Sequence, residues 1–240
     1  MILAVDAGNS RIKWGLHDGD AWVAAGAVAA GDTAALGRAW RDIPRPNKAM
    51  VSNVAGEETR HSLHQALAPL CGDVSWASAQ AERGGVKNGY RRPGQLGSDR
   101  WAALIGARSL EKGPCLVVCA GTALTADALD ADGCFLGGII VPGLRLMQRA
   151  LAENTAALEL QEGRFAPFPD NTADALHSGA LQALGGAVER MLRQLEVQAG
   201  RAPRCLASGG DAPLLLPLLP PHARHVENLV LEGLIRMAHP

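Results

Sequence analysis

A two-module α/β protein, each module a mixed sheet flanked by helices, is predicted by three observations. The first is Ile2 to Trp14, ILAVDAGNSRIKW. Ile2-Leu3-Ala4-Val5 is a continuous apolar run of the kind a fully buried strand shows. It stops at Asp6 and Gly8-Asn9-Ser10, and an alternating strand follows, with Ile12, Trp14 and Leu16 on one face and Arg11, Lys13 and His17 on the other. The second observation is an echo at 116–122, LVVCAGT: Val5-Asp6-Ala7-Gly8-Asn9 lies over Val118-Cys119-Ala120-Gly121-Thr122. Each copy runs on to a second turn (Asp18-Gly19-Asp20; Asp130 to Gly133), then an aromatic residue (Trp22; Phe135) and a glycine (Gly26; Gly137). One such hairpin alone would be no more than a turn; its repetition marks two related modules. The third is the order of elements in the first half, β-β-β-α-β-α.

The elements follow in chain order. Gly31-Asp32-Thr33 opens a short helix through Leu36 and Trp40, ended by Ile43-Pro44-Arg45-Pro46. Ala49 to Val54 reads as a strand, Gly56 to Leu70 as a helix with Leu63, Ala66 and Leu67 inward, and Val74-Ser75-Trp76 as a short strand. Residues 84–101, GGVKNGYRRPGQLGSDRW, have no periodicity, and a loop this long in a compact domain is usually functional or disordered. A helix then runs to about Leu110, with Ser98 or Asp99 as its cap or Asp99 as an anion favoured by the helix dipole. Gly113-Pro114 divides the modules, 1–113 and 114–240. The second hairpin extends to about Gly138, and Ile139 to Gly143 leads into a helix carrying Leu144, Leu146, Met147 and Leu151. Residues 152–170 lose pattern. Asn171-Thr172 caps a long helix over 172–198 with an inward stripe of Leu176, Ala180, Leu184, Val188, Met191 and Leu195, and Gly200 lies just past its end. A strand at Arg204 to Ala207, a turn at Ser208 to Asp211, a helix broken by Pro217 and a last helix from Glu227 to Ala238 close the chain.

Composition bounds the function. A chain of 240 residues with 48% hydrophobic and 20% charged residues is globular and large enough for two modest cores. A net charge of −1 without a basic tract argues against a nucleic-acid surface. Five cysteines with no C-x-x-C pair read as buried cytosolic thiols, Asp6 interrupts the only N-terminal apolar run, and no uninterrupted stretch reaches membrane-spanning length. The expectation is a cytoplasmic protein with no membrane partner.

The chemistry is phosphoryl transfer. There is no G-x-x-x-x-G-K-[ST], H-E-x-x-H or G-x-S-x-G, no zinc spacing, and the seven histidines are scattered. What remains is a carboxylate-and-glycine turn, written twice, and an irregular loop ending in Asp-Arg. Gly8 lets a ligand approach the backbone, Asn9 and Ser10 can donate to phosphate oxygens, Lys13 adds a point charge, and Asp6 can hold magnesium. Gly121 and Thr122 extend the cradle; Asp99 is the candidate base and Arg100 an anion clamp.

Taken together, DAGNSRIKWG, NGYRRPGQLGSDRWAALIGA, AGTALTAD, GGIIVPGL and NTADALHSGA resemble the type III pantothenate kinases over nearly the whole chain. The resemblance implies duplicated ribonuclease H-like domains of the acetate kinase–sugar kinase–actin superfamily and ATP-dependent phosphorylation of pantothenate, the first step of coenzyme A synthesis. It implies that Asp6, Ala7, Gly8, Asn9, Ser10, Arg11, Ile12 and Lys13 bind ATP phosphates and Mg²⁺, with the metal on Asp6, and that Gly121 and Thr122 contact ATP. It implies that Tyr90, Gly97, Ser98, Asp99 and Arg100 hold pantothenate with Asp99 as proton acceptor, and that Thr172 contacts pantothenate in a site built at a homodimer interface. Gly209-Gly210 resembles the adenine-side turn. Cys119 stands where the family commonly has an aspartate that helps bind a monovalent cation (K⁺ or NH₄⁺), and the departure argues against that cofactor here. The rival expectations are a non-catalytic accessory or regulatory protein on the same fold and a kinase for another small hydroxy acid or sugar.

Overall fold

The computed structural model describes residues 1–155 and 161–239. In chain order its strands are β1 (Ile2–Ala7), β2 (Arg11–His17), β3 (Trp22–Ala29), β4 (Lys48–Asn53), β5 (Val74–Trp76), β6 (Glu82–Arg83), β7 (Val86–Asn88), β8 (Cys115–Ala120), β9 (Ala123–Leu129), β10 (Cys134–Pro142), β11 (Arg204–Ser208) and β12 (Arg224–His225). The helices are α1 (Thr33–Ala39), α2 (Glu57–Leu67), α3 (Ser98–Leu110), α4 (Leu144–Asn154), α5 (Thr172–Ala199), α6 (Ala212–Leu215) and α7 (Leu229–Ala238). Contacts divide the chain into two units: Met1–Leu110 with Gly133–Phe135 and the segment from Asn228 onward, and Glu111–Asp132 with Leu136–Glu227.

In the first unit the sheet order is β3-β2-β1-β4-β5, antiparallel from β3 to β1 and parallel from β1 to β5. The predicted alternation fixes which face is buried. Leu3, Val5, Ile12, Trp14 and Leu16 join Leu36 and Trp40 at α1 and Leu63 and Leu67 of α2 in one core. Asp32 caps α1, its Oδ1 accepting from the Ala35 N–H at 3.0 Å. Helices α3 and α7 pack closely through a glycine on each: a Cβ on Gly233 would stand 1.7 Å from the Ala102 carbonyl oxygen, and one on Gly106 2.5 Å from that of Leu229. The expected irregular loop is partly structured. Gly84 and Gly85, with φ of 60° and 76°, turn β6 back on β7, and β7 lies parallel to Cys134 and Phe135. Strands of two and three residues are too short to show an alternating pattern, so the sequence reads there as loop.

In the second unit the order is β12-β11-β8-β9-β10, with β8 antiparallel to β9 and parallel to β11. Its core joins Leu116, Val118, Leu124 and Ala126 to Ala180, Leu184, Val188 and Leu195 of α5. Both ends of α5 fall where the sequence sets them: Asn171 Oδ1 accepts from the Asp174 N–H, and Gly200 closes the helix at φ 67°. Leu176 and Met191 are half-buried, while Leu181 and Leu192 are buried beside the predicted stripe. Of the pattern-free stretch 152–170, residues 156–160 lie outside the described residues.

Candidate active site

In the first unit, the hairpin carries Asp6 on the sheet face opposite the α1–α2 core. Antiparallel register sets Lys13 directly across from Asp6 on one side, and parallel register sets Ser52 across from it on the other. Cross-strand neighbours on one face have Cβ atoms about 5 Å apart, so three polar side chains form a row across the three central strands. Ser52 is fully buried; its hydroxyl bonds to Asp6 and lies 2.9 Å from Ser98 Oγ. This hydroxyl pair, in which either oxygen can donate, ties the first residue of α3 to β4 beside Asp6.

The helix α3 begins at Ser98, so Asp99 lies inside the first turn and not at the cap. Its carboxylate folds back over Gly97, where a Cβ would meet Oδ1 at 2.6 Å. Asp99 acts on Asp6 as a like charge. Burial pushes the Asp6 carboxyl up to about 7 and the Asp99 charge adds to the rise; Lys13 and the Ser52 hydroxyl pull the other way. Asp6 keeps part of its surface accessible, yet its Oδ1 is enclosed and takes no hydrogen bond among the described residues. An acceptor-only oxygen left bare beside a second carboxylate fits a hard divalent cation held by one or two carboxylates with its own waters. The donor set therefore suits Mg²⁺.

Around this row, Gly8 N–H donates to the Arg11 carbonyl at 3.1 Å to close the turn, and Asn9, Ser10 and Arg11 are exposed. Ala7 and Ile12 are sunk in the α1–α2 core, so what they offer a ligand is backbone. Arg100, 6% exposed, donates from Nη1 to Tyr90 Oη at 3.2 Å. Its guanidinium lies 5.9 Å from both the Tyr90 and the Phe135 rings, which are themselves 5.1 Å apart. Two aromatic faces thus fix the orientation of the planar cation. The sequence reading missed Ser52 and the platform role of Phe135. The signal for Ser52 was a lone hydroxyl inside the run Ala49 to Val54; for Phe135 it was the echo, which marked the position without its use.

Gly121 and Thr122 form the matching turn of the second unit. Gly121 N–H donates to the Ala123 carbonyl at 3.0 Å, and the Thr122 carbonyl accepts from Gly143 N–H at 2.9 Å. Two glycines press on this turn: a Cβ on Gly143 would lie 1.9 Å from the Gly121 carbonyl oxygen, and one on Gly209 2.1 Å from that of Ala120. Thr172, exposed, opens α5 at an apolar groove lined by Pro142, Leu146, Met147 and Leu151 on one side and Ala175 and Gly179 on the other.

The sequence model of the family described as type III pantothenate kinase matches residues 2–194. A type III pantothenate kinase of Nitrosospira multiformis is 49% identical over 238 residues, 99% of this chain and 91% of the relative. One from Aromatoleum aromaticum is 51% identical over 238 residues, 99% and 98% of the two chains. Among solved structures, a Campylobacter jejuni protein named for the Baf family of transcriptional activators superposes with a TM-score of 0.61 at 21% identity, over 98% of this chain and 96% of that one. A Sinorhizobium meliloti protein named provisionally as a 2-dehydro-3-deoxygalactonokinase gives 0.62 at 16% identity, each chain fully covered. These two likenesses bear on the fold, which is the duplicated ribonuclease H-like architecture with mixed sheets and flanking helices. With sequence agreement of this extent, the chain belongs to the type III pantothenate kinase family.

Proposed function

We propose that this chain transfers the γ-phosphoryl group of ATP to a hydroxyl of pantothenate, giving 4'-phosphopantothenate for coenzyme A synthesis. The observation that carries the reading, in a chain of this family, is the row Lys13–Asp6–Ser52 with Asp99 in the first turn of α3. Phosphoryl transfer asks the protein for positioning and charge stabilisation more than covalent chemistry. The turn Ala7 to Arg11 offers backbone and side-chain donors to phosphate oxygens, and Lys13 offers a cation. Asp6 would hold Mg²⁺, which neutralises phosphate charge when bound. Asp99 accepts the proton of the attacking hydroxyl, and Arg100, stiffened by Tyr90 and Phe135, presents its fork to the pantothenate carboxylate. Gly97 leaves room for the Asp99 carboxylate, and Ser98 anchors the helix start through Ser52. Gly121 and Thr122 serve ATP, and the duplicated modules run 1–113 and 114–240.

The groove at α4 and α5 supports a homodimer in which Thr172 meets pantothenate. Thr172, Ala175, Gly179 and Ala183 follow one another at helical spacing along it, and small residues let a partner helix approach closely. A cytoplasmic setting is supported by five free thiols. No helix among the described residues is long and apolar enough to cross a membrane. A thiol at 119 is a poor ligand for a hard cation, so turnover should be the same with and without potassium or ammonium; strong potassium activation of the wild type would overturn this point.

The test of the main reading is ADP release by the purified protein with ATP and Mg²⁺. Release is expected with pantothenate and not with sugars or without an acceptor. Asp99→Asn should lower it by about 10²–10⁴-fold with ATP binding retained. An accessory protein would give no turnover with any acceptor, and a sugar kinase would turn over with sugars.

A further inference from the structure

Ser52 lies inside β4, fully buried, on the sheet face away from the α1–α2 core that takes Ala49 and Val51. A buried hydroxyl costs stability unless it is partnered, and both of its partners belong to the site. Parallel register sets it across from Asp6, to whose carboxylate its hydroxyl bonds. Its Oγ is also 2.9 Å from Oγ of Ser98, which opens α3 one residue ahead of Asp99. The start of α3 is packed against the chain just past β4, where a Cβ on Gly97 would lie 3.9 Å from Val54 Cγ1. Trp101 N–H donates to the Gly97 carbonyl at 2.9 Å and closes the first turn. One side chain thus reaches both the candidate metal ligand and the helix that carries the candidate base.

We infer that Ser52 is a positioning residue for the phosphoryl transfer: it orients the Asp6 carboxylate as a metal ligand and, through Ser98, keeps the first turn of α3 and Asp99 in place relative to Asp6. The inference rests on the roles proposed for Asp6 and Asp99. A carboxylate must be ionised to hold a metal, and an ionised carboxylate only accepts hydrogen bonds. The single Ser52 proton then goes to Asp6, and the Ser52 oxygen takes the proton of Ser98, so the two hydroxyls line up from helix to carboxylate. Alanine at 52 breaks this line at both ends, leaving Asp6 without its hydroxyl donor and Ser98 without its partner. Hydrogen-bonded neighbours of a ligating carboxylate are worth about 10–100-fold in metal affinity or activity. Arg100 is held separately, by Tyr90, so binding of pantothenate should not follow the loss.

The experiment compares wild type, Ser52→Ala, Ser98→Ala and the double variant, with melting temperature as the folding check. Ser52→Cys, which keeps the shape with a weaker donor, takes the place of Ser52→Ala if that variant does not fold. A non-hydrolysable ATP analogue is titrated calorimetrically, once with Mg²⁺ and once with a chelator. Ser52→Ala should bind it about 10–100-fold more weakly with Mg²⁺ and unchanged without. In turnover at saturating Mg²⁺, Ser52→Ala should lower kcat and leave the KM for pantothenate nearly as it is. Ser98→Ala should also lower kcat, and the double variant should be no slower than Ser52→Ala, because each change cuts the same line. A serine that only fills its place would move the melting temperature and neither the Mg²⁺-dependent affinity nor kcat. Equal Mg²⁺-dependent affinity in wild type and Ser52→Ala overturns the metal half of the inference. Losses of kcat that multiply in the double variant, or a Ser98→Ala effect confined to the KM for pantothenate, overturn the link to Asp99. A wild type whose analogue binding ignores Mg²⁺, or that releases no ADP with pantothenate, would instead overturn the roles proposed for the site.

Discussion

At Asp6 the fold encloses an oxygen that no neighbouring donor satisfies and sets the carboxylate against the like charge of Asp99. The carboxyl titrates at about 7 in the folded chain against an ordinary 3.8. Between those values the folded state holds more proton than the unfolded state, so this residue's contribution is fully present below the lower value and is lost as pH rises through the upper one. Asp6→Asn in metal-free buffer should therefore match the wild type in melting temperature near pH 4 and exceed it increasingly up to a plateau above pH 7. At 1.36 kcal/mol per pKa unit the plateau is worth on the order of 2–4 kcal/mol, or several degrees for a chain of this size. Mg²⁺ at pH 8 should raise the wild type toward the variant and leave the variant unmoved, while turnover of the variant is lost. A melting gap that stays flat across pH, or Mg²⁺ stabilisation of both proteins alike, would show that Asp6 is neither strained by its charge nor the metal ligand. Asp6 was legible in the sequence because a carboxylate breaking an apolar run is conspicuous; Ser52 was not, because a hydroxyl within a strand looks the same whether it faces solvent or a carboxylate.

Elements were legible where a local signal sets them. Asn171 and Gly200 bound α5 because a cap and a left-handed glycine act within one turn, and the two hairpins followed from apolar runs ended by glycine turns. What stayed hidden was pairing at a distance. β6 and β7 are too short for a period, and α7 joins the first unit although it ends the chain; neither fact has a local sequence correlate. The Gly209-Gly210 turn is the sharpest case, because two identical letters do different work. Gly209 has φ 101°, and a Cβ there would lie 2.1 Å from the Ala120 carbonyl oxygen, whereas Gly210 has open space around its Cα. Gly209→Ala must shift β8's end or its own turn and should cost about 1–3 kcal/mol, with the KM for ATP rising several-fold. Gly210→Ala should change melting temperature and KM little. Equal effects at the two positions would mean that the turn does not press on the nucleotide-side hairpin.

For the whole molecule, the open question is whether one chain completes a site. Leu146 and Leu151 on α4 are 38% and 46% exposed, and they flank a groove whose other wall, from Thr172 to Ala183, is built of small residues apart from Leu176. An apolar groove beside a smooth helix face is what two copies can close by laying α4 and α5 of each against the other, and a two-fold interface uses the same patch twice. If Thr172 then reaches pantothenate from the partner, the base and this contact belong to different chains of one site. Asp99→Asn and Thr172→Ala homodimers should each be impaired, the first in turnover and the second in the KM for pantothenate more than for ATP. Co-expression with two affinity tags isolates the mixed dimer, in which one of the two sites combines Asp99 from one variant with Thr172 from the other and is intact. That dimer should recover up to about half the wild-type rate per dimer, with a wild-type KM, because one site of two is restored. If purified mixed dimers show only the mean of the two parents, Thr172 acts within its own chain. If a charged substitution in the groove, Gly179→Glu, leaves the sedimentation behaviour of the protein unchanged, the dimer is not built on this face.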